Sequence, residues 1–226
     1  MTDVLPSARY DLSGFGEMLA EPSRAAILLS LMDGGARPAG ELARIAGITP
    51  QTASSHLRRL LQGGMLVVEG RGRHRYFRLS GETVADALEA VALLRRPRDV
   101  PRSPERAELA EARTCYLHLA GRLGVAWLEA LEKLRFLQLT GGVLSLTGEG
   151  VDRFATLELR PPHWVAGKPC LDWTERRFHL GGGLGALLTR HLFERGWLAR
   201  RTGSRAVRVT SRGARVFARE FSLSWP

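Results

Sequence analysis

The sequence predicts an α+β chain, mainly helical with small β-hairpins, in two domains. Three observations point there. A capped amphipathic helix at residues 49–61 runs straight into two β-prone stretches; a Pro- and Arg-rich segment at 95–104 then breaks the pattern; and beyond it helix and hairpin alternate again. The 226 residues, 44% hydrophobic and 25% charged, match an ordinary soluble globular protein. A net charge of +10 favours a polyanionic partner. No run reaches the length of a bilayer span, and Met1 to Tyr10 lacks a signal-peptide core, so the expected location is cytoplasmic, without a membrane partner. The two cysteines are then expected to be reduced.

Taken in order, residues 1–10 read as a frayed arm, and Asp11-Leu12-Ser13 opens a helix through Leu19 with Leu12, Phe15, Met18 and Leu19 on one side. Glu21-Pro22-Ser23 starts a second helix, with Ala26, Ile27, Leu28, Leu31 and Met32 as core candidates, which stops at Asp33-Gly34-Gly35. A third runs from Pro38 to a stop at Gly47, and Ile48-Thr49 is short enough to be the turn of a helix-turn-helix. Thr49 is placed to cap the next helix and Pro50 suits its first position. Ala53, Leu57, Leu60 and Leu61 make its apolar stripe. Gln51, Thr52, Ser54, Ser55, His56, Arg58 and Arg59 supply donors and acceptors of the kind that read base edges in a major groove, where a solvated surface helix would more often carry Glu/Lys pairs. Met65–Glu69 and His74–Leu79 read as strands around Gly70-Arg71-Gly72-Arg73, so Arg71, Arg73 and Arg75 are the candidate phosphate or minor-groove contacts. A helix-turn-helix followed by a basic hairpin is a winged helix.

Leu19-Ala20-Glu21-Pro22-Ser23-Arg24, Glu41-Leu42-Ala43, Ser54-Ser55-His56-Leu57-Arg58-Arg59-Leu60, Gly63-Gly64-Met65-Leu66 and Tyr76-Phe77-Arg78-Leu79 together resemble the ArsR (arsenical-repressor) family of winged-helix regulators, over roughly residues 12–95. The resemblance implies double-stranded DNA as partner and a homodimer formed through the first helix and the helix after the wing, Val84 to Leu94. It also implies metal sensing through cysteines on the helix before the turn, or through His and carboxylates after the wing. This chain departs at both places: Pro38 and Gly40 stand at the first, and Ser80 to Leu94 holds no His or Cys.

The expected division is therefore a DNA-binding and dimerisation domain at 1–96, a linker at 97–104, and a sensor or scaffold domain at 105–226. In the last, Glu105 to Leu123 and Val125 to Leu134 read as amphipathic helices, and Phe136–Leu139 with Val143–Leu146 as a hairpin. The order helix, hairpin, Ser/Thr-Gly, helix recurs at 57–88, 127–157 and 187–221, which predicts winged-helix-like repeats, with packing a commoner role than DNA contact for the later two. Cys115 and His118, i and i+3 on one helix, together with Cys170 and His179, are the residue types that hold zinc, copper or haem iron, and two cysteines brought together also form a redox pair; inert packing is the alternative. Trp164, Trp173, Tyr116 and Phe178 suggest an apolar pocket for an organic ligand. The cofactor stays unknown on these grounds. The expected function is a DNA-binding transcriptional regulator, a repressor released by a small-molecule, metal, haem or redox signal. The alternatives are a ligand-binding protein or enzyme whose winged helix meets proteins, and an architectural DNA-binding protein without effector.

Overall fold

The computed structural model describes residues 12–71, 74–94 and 103–225. The expected arm at 1–10, the wing-tip pair 72–73 with Arg73, and the linker at 97–102 lie outside the described residues. The chain divides into two compact units at Val84/Ala85. That is earlier than the expected boundary, because the helix after the wing packs from Ala85 onward with the C-terminal residues.

Unit 1 contains α1 (Leu12–Ala20), α2 (Pro22–Ser30), β1 (Arg37–Pro38), α3 (Ala39–Ala46), α4 (Pro50–Gln62), β2 (Leu66–Arg71) and β3 (His74–Leu79). The three strands form one antiparallel sheet in the order β1-β3-β2. Three of the helix boundaries have a clear local cause. The Glu21 carboxylate accepts from the Arg24 N–H at the start of α2, Gly47 ends α3 in the left-handed region at φ 65°, and Thr49 Oγ1 accepts from the Thr52 N–H at 3.2 Å to start α4. Ile27, Leu28, Leu31, Leu42, Ala53, Leu57, Leu60, Phe77 and Leu79 are buried as its core.

Unit 2 begins within α5 (Glu82–Leu94) and continues through α6 (Pro104–Glu111), β4 (Arg113–Cys115), β5 (His118–Ala120), α7 (Gly121–Lys133), β6 (Leu137–Thr140), β7 (Val143–Leu146), α8 (Gly148–Thr156), β8 (Lys168–Leu171), β9 (Phe178–Gly181), α9 (Gly182–Glu194), β10 (Leu198–Arg200), β11 (Val207–Val209) and α10 (Ser211–Phe221). The single helix expected over 105–123 is thus corrected. α6 stops at Glu111, and Arg113 to Ala120 form a tight hairpin whose six strand residues are all buried. Tertiary pairing overrides helix propensity there: the Thr114 N–H donates to Arg205 O at 3.0 Å and the Val207 N–H to Ala112 O at 2.9 Å.

The order hairpin, helix, hairpin, helix then occurs twice, as β4-β5-α7-β6-β7-α8 and β8-β9-α9-β10-β11-α10. The two copies pack reciprocally, α7 on β9 and α9 on β5. Their backbones meet the same way, since Leu144 and Gly167 exchange hydrogen bonds of 3.0 and 2.7 Å as the counterpart of the Val207–Ala112 pairing. The sequence His-Leu-x-Gly-x-Leu-Gly occurs at 118–124 and again at 179–185. In both copies the first glycine takes positive φ (77° at Gly121, 71° at Gly182), and at the second a Cβ would strike the carbonyl of Leu119 or Leu180. One continuous core, centred on Trp127, Leu131, Phe154, Leu184, Leu188, Phe217 and Phe221, fills the space between them.

Candidate functional sites

On α4 the outer face is open. Gln51, Thr52, Ser54, Ser55, Arg58 and Arg59 are exposed, while Ala53, Leu57 and Leu60 are buried against unit 1. Two of these hydroxyls also serve the helix, since Thr52 Oγ1 lies 2.9 Å from Thr49 Oγ1 and Ser54 Oγ donates to Pro50 O at 2.9 Å. His56 departs from the expectation. Its ring is half-buried, with Nε2 3.2 Å from the Glu21 carboxylate and Nδ1 3.4 Å from the Arg24 guanidinium. Arg24 is itself buried, and donates to Met18 O at 3.0 Å and Glu17 O at 2.8 Å, so its role is to close the end of α1. On the hairpin Arg75 is exposed with its guanidinium over the Phe77 ring. Arg71 lies on β2, beside the undescribed tip.

In unit 2 the structure brings together all four metal-type residues singled out from sequence. They are not on a helix. Cys115 faces His118 across hairpin β4-β5, and Cys170 faces His179 across hairpin β8-β9, each as a direct cross-strand pair. The two hairpins meet so that one ligand atom from each of the four lies within 4.8 Å of every other. All four side chains are buried and both thiols are free. His118 Nδ1 and His179 Nε2 are 3.2 Å apart.

The surroundings polarise this cluster. A hydrogen bond between the thiols, together with burial, raises Cys115 well above the ordinary thiol range, and the same bond brings Cys170 down to about 6 with help from His179. Burial, with His179 beside it, pushes the His118 imidazole down to about 3. Burial lowers His179 too, but Asp172 and Cys170 outweigh it and leave that imidazole above its ordinary value. A fifth residue of the same segment, Asp172, stands beside the cluster, wholly buried, with Oδ2 3.4 Å from His179 Nδ1. Burial acts to raise its carboxyl, yet His179, the Arg113 guanidinium, Thr174 and the Gly121 N–H hold it far below the usual carboxylate range. Arg113 Nη2 is 3.0 Å from Asp172 and 3.8 Å from Glu89 of α5, and Arg205 reaches the same Glu89 at 2.9 Å. The repeated His-Leu-x-Gly-x-Leu-Gly was the signal that pairs the two hairpins.

The aromatic residues do not converge on one pocket. Trp164 lines an open groove of about 650 Å³ with Leu187 and Phe193, Phe178 lies in a different depression, and Trp173 packs under the Arg106 and Arg113 guanidinium groups. His163 is exposed and takes no part in the buried cluster. Among the described residues no helix is long and apolar enough to cross a membrane.

Residues 19–69 match the family model of a helix-turn-helix domain. Over 221 residues, 94% of this chain and 98% of the relative, the sequence is 38% identical to the uncharacterized HTH-type transcriptional regulator YdfF of Bacillus subtilis. It is 36% identical over 103 residues to the HTH-type transcriptional regulator CmtR of Mycobacterium bovis and Mycobacterium tuberculosis, covering 45% of this chain and 86% of theirs. Among solved structures, the homodimeric winged helix-turn-helix domain of a possible ArsR-family regulator from Mycobacterium bovis is 32% identical, with TM-score 0.34, over 36% of this chain and 75% of that one.

Proposed function

This chain belongs to the HTH-type transcriptional regulators, with a helix-turn-helix domain in its N-terminal part, and from that premise we propose that it is a cytoplasmic homodimeric repressor of the ArsR type that reads its operator through α4 and the β2-β3 wing. The observation that carries this reading is the division of α4, with three apolar residues buried and Gln51, Ser55, Arg58 and Arg59 turned outward. Arg75 and the neighbouring Arg71 and Arg73 supply phosphate contacts. His56 drops out of the reading set, since Glu21 and Arg24 hold it.

Fluorescence anisotropy on the DNA upstream of its own gene, with excess nonspecific competitor, tests the assignment. Arg59→Ala should weaken operator binding by about 1–3 kcal/mol and relax specificity, whereas Arg75→Ala should weaken all sequences alike and lower the salt slope by about 1. Operator binding of the double variant equal to the parent's at physiological salt would sink the groove assignment.

The dimer is assigned to α1 and α5, which expose Leu12 (77%), Val91 (39%) and Leu94 (81%). These exposed side chains are the seam candidates, whereas Leu88 of the same helix is buried within its own chain. A two-fold seam there would set recognition helices for half-sites about 34 Å apart. Placing Glu at both Val91 and Leu94 should turn the dimer into a monomer by sedimentation; a doubly substituted protein that stays dimeric locates the seam elsewhere.

The duplicated helix-hairpin-helix units of unit 2 are winged-helix-like in element order but act as scaffold. α7 and α9, which stand where a reading helix would, each bury an apolar face in the shared core, Leu123, Trp127 and Leu131 on α7 and Leu184, Leu188 and Leu192 on α9. Unit 2 is the sensing part, and its buried Cys/His cluster is the candidate effector site.

A further inference from the structure

We propose that Cys115, His118, Cys170 and His179 form a closed, four-coordinate site for one zinc-class divalent cation, each duplicated hairpin supplying one thiolate and one imidazole. The proposal deepens, and in its regulatory part rests on, the reading of this cluster as the effector site. Three features of the cluster select the ion. Two thiols and two imidazoles are the borderline-soft set that zinc takes in tetrahedral geometry. Zinc–nitrogen bonds of about 2.0–2.1 Å at a tetrahedral angle place two nitrogens about 3.3 Å apart, and His118 Nδ1 and His179 Nε2 stand at 3.2 Å. The mutual 4.8 Å limit on all four ligand atoms fits a single ion and leaves no room for a porphyrin between them.

The second observation is the support around the ligands. With Nε2 turned to the ion, His179 keeps Nδ1 3.4 Å from the wholly buried Asp172 carboxylate, within ion-pair reach though not yet hydrogen-bonded, on the side where a carboxylate orients a metal-bound histidine. Asp172 is fixed in turn by Arg113 at 3.0 Å and by the N–H groups of Gly121 (2.7 Å), Thr174 (2.9 Å) and Glu175 (3.1 Å). Arg113 and Arg205 share Glu89, so the same network reaches α5. Four protein ligands leave no open coordination position, which suits a structural or sensing ion. Binding displaces the thiol protons to solvent and forms two metal–sulfur and two metal–nitrogen bonds, with no change of oxidation state.

The test uses the full chain, stripped with chelator under reductant and titrated with Co²⁺ as a coloured stand-in for zinc. The chain has only two cysteines, so any thiolate-to-cobalt charge-transfer band comes from this site. The expected result is one Co²⁺ per chain, with that band, the intense visible bands of tetrahedral cobalt, and bleaching of both on adding one equivalent of Zn²⁺. Cys170→Ser and His179→Gln should each weaken cobalt binding by at least tenfold, and zinc should slow the reaction of the parent's thiols with an aromatic disulfide by a similar factor. The parent titration alone decides the matter if either variant fails to fold: no charge-transfer band, or only the faint spectrum of octahedral cobalt, overturns the site. A parallel arm compares operator affinity with Zn²⁺ and with chelator. A tenfold difference supports the regulatory role, and a tight cobalt site with unchanged DNA affinity overturns that role alone. DNA binding without any cobalt site overturns the ion and leaves the regulator standing.

Discussion

Replacing Arg113 with Met should lower the unfolding free energy of unit 2 by about 3–5 kcal/mol, the cost of leaving buried charge without its partner. Arg113 is wholly buried, and its guanidinium donates to Asp172 at 3.0 Å, to Leu109 O at 3.1 Å and to Thr174 Oγ1 at 3.2 Å while lying over the Trp173 ring. Met fills much of the same volume and keeps the contact with the ring, so the loss isolates the charge. What it strands is Asp172 beside His179 and Glu89 on α5, two carboxylates less than 5% exposed. Arg113→Lys should recover only part of the loss, because a point charge with one nitrogen cannot span the acceptors that the planar fork serves. Urea denaturation of the metal-free protein, followed by Trp fluorescence, measures both. A Met variant within about 1 kcal/mol of the parent would show that the network contributes little to stability.

Trp127→Ala should cost a similar amount, about 3–5 kcal/mol, by a different mechanism. Trp127 is 1% exposed and sits edge-on to two rings, Phe217 at 6.0 Å and Phe221 at 5.9 Å. Its indole nitrogen has no hydrogen-bond partner among the described residues, so the loss is that of apolar packing plus the cavity left behind. Trp127→Phe keeps an edge for both neighbours and should cost less than half as much. The check is the shift in urea midpoint at unchanged slope; equal losses for Ala and Phe would mean that indole shape, not ring contact, holds the core together.

The N-terminal part of the fold was legible because its signals are local. A Thr cap, Pro at the first helical position and Gly at a left-handed stop each fix a boundary within a few residues, and unit 1 has all three. The neighbours of His56 were not legible, because helical periodicity gives a direction but not a claimant, and Glu21 and Arg24 come from another helix. The hairpins of unit 2 were illegible for the opposite reason. Arg113 to Cys115 and His118 to Ala120 are buried on both faces, so no alternation marks them as strands, and three residues are too few to declare a propensity. The residue types of the cluster could be named from sequence. Their convergence could not, because it is made by pairing positions 61 apart, as in His118 with His179.

The reciprocal packing of unit 2 also sets how it must fold. Neither copy holds a finished core alone, since α7 rests on β9 and α9 on β5. The earliest stable structure in this region therefore has to wait for closure of a long loop, a high-contact-order event that makes unit 2 slow to form and all-or-none when it does. Two similar halves joined by the stretch at 158–167 carry a second consequence. The first half of one chain is complementary to the second half of any other, so at high protein concentration the failure mode built into this architecture is exchange of halves between chains.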